Sequence, residues 1–215
     1  MNPPFEHVIC VVGLKAAGKD EFCNRLADRG YAVLRLSDAV RASMLAELGV
    51  TNPTVTEMQE FSNRKKAETQ RSGAEASSGL WATEVLKLAQ ARGHAKLILN
   101  GIRNPGELFN IALSMRYSPG RVSLVGIVAP TKLRFERYMK RGQAGDVADF
   151  HWFMDMDDAD RGIGQPESGQ LVDRCLARVP HQNVYNNVGT LDEFHRWIDA
   201  TEERLSDGLI QHTMS

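Results

Sequence analysis

The stretch Gly13-Leu14-Lys15-Ala16-Ala17-Gly18-Lys19-Asp20 follows Val8-Ile9-Cys10-Val11-Val12, a short, continuous and largely β-branched run. An apolar run of this kind, ended by glycine, predicts a buried parallel strand. Gly13 and Gly18-Lys19 meet the spacing G-x-x-x-x-G-K. That spacing suits a phosphate cradle, because several backbone N–H groups must point inward and glycines let the chain curl that tightly. A helix is predicted from Lys19 to Arg29, and its N-terminus adds partial positive charge. Lys19 is placed to reach the β- and γ-phosphates of a nucleoside triphosphate. The expected triphosphate site is therefore Gly13, Leu14, Lys15, Ala16, Ala17, Gly18, Lys19 and Asp20, with Glu21 in the first helical turn. A glycine turn with an incidental lysine is the plain alternative, and the strand–loop–helix order argues against it.

Asp20 stands where the usual pattern has Ser or Thr bound to Mg²⁺. Its carboxylate either takes Mg²⁺, directly or through water, or caps the helix. Lys15 is either a second positive contact inside the loop or a solvated side chain.

Outward from the loop, Phe22, Leu26 and Ala27 have helical spacing and Gly30 ends that helix. Tyr31 to Leu36 reads as a second strand, giving the start of a βαβ unit. Asp38 to Leu48 is predicted helical, with Ser37 or Asp38 as cap. Thr51 to Gly79 is polar and reads as helices and loops over the sheet. Leu80 to Arg92 is a helix closed by Gly93. Lys96 to Leu99 is a third strand leading into Asn100-Gly101-Ile102-Arg103. Helices are expected at Glu107–Met115, Thr131–Arg141, Gln170–Arg178 and Leu191–Leu205, and strands at Arg121–Val128 and Gln182–Asn186. Gly142 to Gly169 reads as irregular and acidic. Alternating strands and helices imply a parallel sheet covered on both faces.

Composition narrows the function classes. The 215 residues favour one domain, and 42% hydrophobic with 25% charged residues is ordinary for a globular chain. A formal net charge of -1 supplies no global field for nucleic acid or an anionic membrane. Cys10, Cys23 and Cys175 are odd in number and irregular in spacing, which argues against a disulfide framework or a zinc site. The segment Met1–His7 lacks the pattern of a signal peptide, and no apolar run approaches the roughly 18 residues of a membrane span. The expectation is a cytoplasmic protein.

Phosphoryl transfer needs positioning and positive charge around the moving group. Arg103, beyond the third strand, lies at the carboxyl edge where ligands bind in open α/β sheets. It either holds an acceptor phosphate or pairs with Glu107. Arg134, Arg137 and Arg141 share a predicted helix face, as a phosphate clamp or as a solvated face. Asp38, also beyond a strand, binds an acceptor hydroxyl, positions Mg²⁺ or acts as a base, or else caps its helix. Asp155, Asp157, Asp158 and Asp160 fail the Ca²⁺-loop pattern, and most read as solvated. Asp157 or Arg161 is a candidate to reach the site from a lid.

The loop GLKAAGKD, LSDAVR (36–41), LNGIRNPGEL (99–108), RFERYMKRG (134–142) and NVGTLDEF (187–194) occur in that order. The set resembles P-loop nucleotide kinases of the dephospho-CoA kinase-related and adenylate kinase-related group. It is also similar to phage deoxynucleoside monophosphate kinases, in which Asp likewise follows the loop lysine. The resemblance implies an ATP donor, Mg²⁺ and a phosphorylated or nucleoside-like acceptor. It implies that Arg103 faces the acceptor, that Arg137 and Arg141 border a lid, and that Asn187, Gly189 and Thr190 lie near the adenine. Asn100 stands where such proteins often carry Asp, and Met154 and Met156 stand where a lid arginine is usual.

The expected fold is a three-layer α/β/α sandwich with a five-stranded parallel sheet. One P-loop kinase domain spans 1–215, with acceptor-side helices at about 38–92 and a lid at about 138–169. The expected activity is ATP-dependent transfer to a nucleotide, with a (d)NMP as first choice of acceptor. The alternatives are transfer to a hydroxyl, as in dephospho-CoA, and a nucleotide-binding regulatory protein with little turnover. The partner is a small-molecule nucleotide, and the chain is a monomer or a homodimer.

Overall fold

Val8 to Val12 are completely buried, so the first strand carries protein on both faces. The computed structural model describes residues 5–71, 79–115, 121–142 and 147–213. The expected acceptor-side segment includes residues 72–78, and the expected lid includes 143–146. These, with Met1–Pro4, lie outside the described residues.

The first half of the chain runs β1 (His7–Val12), α1 (Lys19–Ala27), β2 (Ala32–Arg35), α2 (Leu36–Leu48), α3 (Val55–Arg71) and α4 (Leu80–Ala91). The second half runs β3 (Lys96–Ile102), α5 (Pro105–Met115), β4 (Arg121–Val128), α6 (Thr131–Arg141), α7 (Phe150–Arg161), α8 (Val172–Leu176), β5 (Val184–Asn186) and α9 (Leu191–Thr213). All strand pairs are parallel, in the order β2-β3-β1-β4-β5. This is the expected α/β/α sandwich.

Alternation along β1 divides the core into its two layers. Val8, Cys10 and Val12 pack with α2, α4, α5 and α8 through Val40, Val85, Ile111 and Val172. Ile9 and Val11 pack with α1 and α9 through Phe22, Leu26, Phe194 and Ile198. Each fully buried aliphatic side chain contributes about 1.5–3 kcal/mol relative to exposure. Tyr185 on β5 lies between Phe194 and Trp197 of α9, 4.9 Å from each ring, and so fixes α9 against the sheet edge. Cys10 is one of the small core residues, and burial pushes its thiol up to about 12, so it is inert as a nucleophile.

Several boundaries differ from the sequence reading. Gly142–Gly169 is not irregular throughout: it contains α7, capped by the Asp149 carboxylate accepting from Trp152 N–H at 2.7 Å. Helix α2 begins at Leu36, which places Asp38 inside the first turn rather than before it. Helix α1 buries Cys23 with Phe22 and Leu26, while Ala27 is exposed. The last strand is only three residues long, preceded by a 3-10 turn at His181–Asn183. Asp157 and Asp160 of the acidic cluster are buried. Among the described residues no helix is long and apolar enough to cross a membrane.

Candidate active site at the carboxyl edge of the sheet

The loop between β1 and α1 passes through a gap too narrow for side chains at its two ends. A Cβ on Gly13 would collide with the Ile127 carbonyl oxygen, and one on Gly18 with Asn187 Nδ2. Gly18 also has φ 114, a left-handed conformation open to glycine at little cost. The close approach lets Asn187 Nδ2 donate to Ala17 O at 2.8 Å, while Asn187 N–H donates to Val128 O at 2.7 Å. Asn187 therefore ties the loop to the end of β4 from beneath. Thr190 forms a capping box with Glu193, so its side chain starts α9. A Cβ on Gly189 would likewise meet the Glu193 carboxylate.

Lys19 folds over the loop and donates from Nζ to Leu14 O at 2.8 Å. Burial, then the nearby Arg103 charge, lowers its pKa to about 8. The nearby Asp20 and Asp160 carboxylates offset only part of that shift. Asp160 also acts on Lys19 electrostatically and lies 3.6 Å from Arg103 Nη1. Arg103 Nη1 donates to Gln170 Oε1 at 3.1 Å, and its guanidinium is half exposed. It does not pair with Glu107. Instead the Glu107 carboxylate accepts the backbone N–H groups of Arg103 and Asn104, at 2.8 and 3.0 Å. Burial raises the pKa of Glu107, against those two hydrogen bonds.

Asp20 and Asn100 face each other. Asn100 Nδ2 and Arg35 Nη2 donate to Asp20 Oδ1 at 2.8 and 2.9 Å. Burial works to raise the Asp20 pKa, but the Asn100 and Arg35 contacts override it and hold it below the usual range. The β1–β3 ladder shifts register here, Val11 pairing with Asn100 and Val12 with Ile102, which re-aims the strand end beside the loop. Asn100 Oδ1 is buried without a hydrogen-bond partner. Asp38 Oδ2 accepts the Arg35 N–H at 2.7 Å and Oδ1 accepts from Arg41 at 3.3 Å. Glu21 turns away from the loop and meets His195 Nε2 at 2.6 Å.

The three arginines expected on one helix face have separate environments. Arg134 is buried and makes a bidentate pair with Asp157 of α7, at 2.5 and 2.7 Å, while also donating to Ala129 O and Lys15 O. It is not a free phosphate clamp. Arg137 donates from Nη2 to Asn187 O at 3.0 Å, and its Nη1 is buried without a partner. Burial lowers its pKa. Arg141 lies over the Tyr138 ring at 5.2 Å. Lys15 is not simply solvated, since Nζ sits 5.5 Å from both the Tyr138 and Trp152 rings. Arg161 pairs with Asp173 at 3.0 Å. Asp157 approaches the loop, but through Arg134.

Lys19, Asp20, Asn100, Arg103 and Asp160 thus converge at one end of the sheet, with Arg35 and Asp38 on one side and Arg137 on the other. Arg35 was overlooked in the sequence, although it ends a strand as the segment before Arg103 does. The pairings of Arg134 with Asp157 and of Lys15 with Tyr138 and Trp152 join distant segments, and no local pattern announces them.

No family model matches the chain. A UPF0200 protein of Pyrococcus horikoshii is 27% identical over 202 residues, covering 92% of this chain and 97% of its own. A UPF0200 protein of Methanoregula boonei is 29% identical over 188 residues, covering 87% and 91%. Among solved structures, TT1252 from Thermus thermophilus is similar with a TM-score of 0.51 at 18% identity, covering 94% of this chain and 98% of that one. That likeness is one of fold, and it agrees with the parallel five-stranded sheet and its helical layers.

Asp157→Ala leaves Arg134 as an uncompensated buried charge, so urea unfolding should show a loss of about 3–5 kcal/mol. The double variant Arg134→Met/Asp157→Leu should recover much of that loss. For Glu107, a raised folded pKa means its contribution is fully present below about pH 4, the unfolded value, and is lost as pH rises through the folded value. Glu107→Gln keeps the carbonyl acceptor and removes the ionisation. Unfolding curves should therefore show wild type losing stability relative to the variant as pH rises from 4, and a flat difference would contradict this.

Proposed function

We propose that this chain is an ATP-dependent phosphotransferase acting on a nucleotide, with a nucleoside or deoxynucleoside monophosphate as acceptor. The observation that carries the reading is the partly buried Lys19, folded over the Gly13–Asp20 loop with its ammonium disfavoured by desolvation and by Arg103. The loop from Gly13 to Asp20 and the first turn at Glu21 hold the triphosphate through backbone N–H groups and Lys19. Arg103 binds the acceptor phosphate. Arg35, beside it on the acceptor side, adds positive charge. An acceptor phosphate oxygen attacks the γ-phosphorus as the bond to the β-bridging oxygen breaks, giving ADP and a nucleoside diphosphate.

Negative charge grows on the β-bridging oxygen and spreads over the moving phosphoryl group. Lys19, Arg137 and Arg141 stabilise it, Arg137 through the Nη1 that has no protein partner. Asn187 acts by holding the loop and Arg137, and Gly189 and Thr190 shape the turn at the adenine end. Acceptor-side helices at about 38–92 and a lid at about 138–169 belong to the same single domain.

A Mg²⁺ ion fits the residues present. Asp20 offers a carboxylate held ionised, and the orphaned Asn100 Oδ1 offers a second oxygen for the ion or its water. Bound there with ATP, the ion would neutralise phosphate charge. The two departures from the usual pattern, Asp at 20 and Asn at 100, are hydrogen-bonded to each other, which favours a phosphotransferase over a regulatory protein with little turnover. The hydroxyl-acceptor reading asks Asp38 to act as a base, but both of its oxygens are already engaged.

Product formation from MgATP with a panel of NMPs, dNMPs and dephospho-CoA tests the reading. Diphosphate product from at least one monophosphate is expected, and ATP hydrolysis without any phosphorylated acceptor would contradict it. Triphosphate binding requires Lys19 as the ammonium. Affinity for ATP should therefore fall as pH rises above about 8, measured by titration calorimetry between pH 6.5 and roughly 9.5.

A further inference from the structure

Among the described residues, the outer edge of the sheet is only half paired by strand. Strand β5 pairs with Gly126, Ile127 and Val128 of β4, and the chain before it turns away as the 3-10 segment His181–Asn183. Among the described residues no strand lies beside Val122–Leu124 on that side. The direction of the backbone follows from two contacts. Val128 O accepts from Asn187 N–H, and Leu124 O accepts from Asn183 Nδ2, both on the side away from β1. Since backbone groups alternate along a strand, Val122 and Leu124 turn their N–H and C=O groups outward, while Ser123 and Val125 serve the β1 ladder.

Two grooves flank this open edge. One, of about 520 Å³, is lined by Arg178 and Pro180 together with Arg204 and Leu205 of α9. The second, of about 390 Å³, is apolar and lies against Leu108, Phe109 and Ala112 of α5. Phe109 is 64% exposed. Val122, Leu124 and Arg178 belong to both grooves. Arg204 donates to Asn183 Oδ1 and Gln182 O, and Arg178 to Arg174 O. Neither has a carboxylate within 4.0 Å among the described residues, in contrast to the paired Arg25, Arg29 and Arg174.

We propose that the open edge of β4 at Val122–Leu124 is a docking site for an extended acidic peptide segment of a partner protein, which adds a strand beside β4. The added strand takes its main-chain hydrogen bonds from the N–H and C=O of Val122 and the N–H of Leu124, because Leu124 O already accepts from Asn183 Nδ2. Its side chains alternate between the two faces. Apolar residues enter the groove along α5, and carboxylates on the other face meet Arg204, with Arg178 at the rim. These two arginines, without a carboxylate neighbour among the described residues, select acidic residues and disfavour a second copy of the same edge, which would bring like charges together. The site lies at the opposite end of β4 from the phosphate loop, so it is independent of the proposed transfer reaction.

The probes are the fluorescein-labelled peptides Ac-EVEVEVE-NH2 and Ac-KVKVKVK-NH2, titrated against the full chain by fluorescence anisotropy, with amide hydrogen exchange on the same samples. The acidic peptide should bind, the lysine peptide should not, and exchange at Val122 and Leu124 should slow on binding. Arg178→Glu should weaken binding by roughly tenfold or more. Val122→Pro removes one outward N–H, leaves the β1 ladder intact and should abolish binding while thermal unfolding stays cooperative. Equal binding of both peptides, or binding unaffected by Arg178→Glu, would overturn the proposal. So would protection of Val122 and Leu124 in a peptide-free dimer, which would make a second copy the occupant.

Discussion

The organisation of the carboxyl edge depends on one steric constraint: the loop after β1 must run between the end of β4 and the Asn187 turn with almost no clearance. Gly13 meets the Ile127 carbonyl and Gly18 meets the Asn187 amide. Glycine at both ends is what brings Asn187 within hydrogen-bonding distance of Ala17 O. From that contact follows the position of Arg137, which is held by Asn187, and the direction of Lys19, which folds back over Leu14 O. Central burial of β1 on both faces makes the constraint rigid, since neither layer leaves room for the loop to relax.

A second feature is the exchange of polar groups between loop and strand. A carboxylate stands on the loop at Asp20 and an amide on the strand at Asn100, joined by a hydrogen bond of 2.8 Å. The pair keeps one negative charge next to the loop, and the Asn100 hydrogen bond, then Arg35, hold that carboxylate ionised. Among the described residues, Asn100 Oδ1 has no hydrogen-bond partner, and a buried acceptor in that state costs free energy.

Much of the fold could be read from the sequence, because its signals are local. The apolar run at Val8–Val12, the glycines after it and the strand–helix alternation each act over a few residues. Arg103 was expected at the carboxyl edge by the same logic, from its place after a strand, and its charge does act on Lys19. What escaped was non-local. Arg134 looked like part of a basic face, yet it is sequestered by Asp157, which lies 23 residues away in a helix hidden within a polar, glycine-bearing segment. Asp38 could be read as a site residue or as a helix cap, and its carboxylate serves the first turn of α2 by accepting the Arg35 N–H. Residue type and spacing reveal which groups reach the edge of the sheet, and only packing decides which of them stay available there.

The central claim is that the Gly13–Asp20 loop binds triphosphate through Lys19. Titration calorimetry of MgATP into wild type and Lys19→Ala at pH 7 tests it most directly, with circular dichroism to establish that both are folded. The account predicts one site per chain in wild type, with heat that disappears in Lys19→Ala. Undiminished affinity in the folded variant would contradict it.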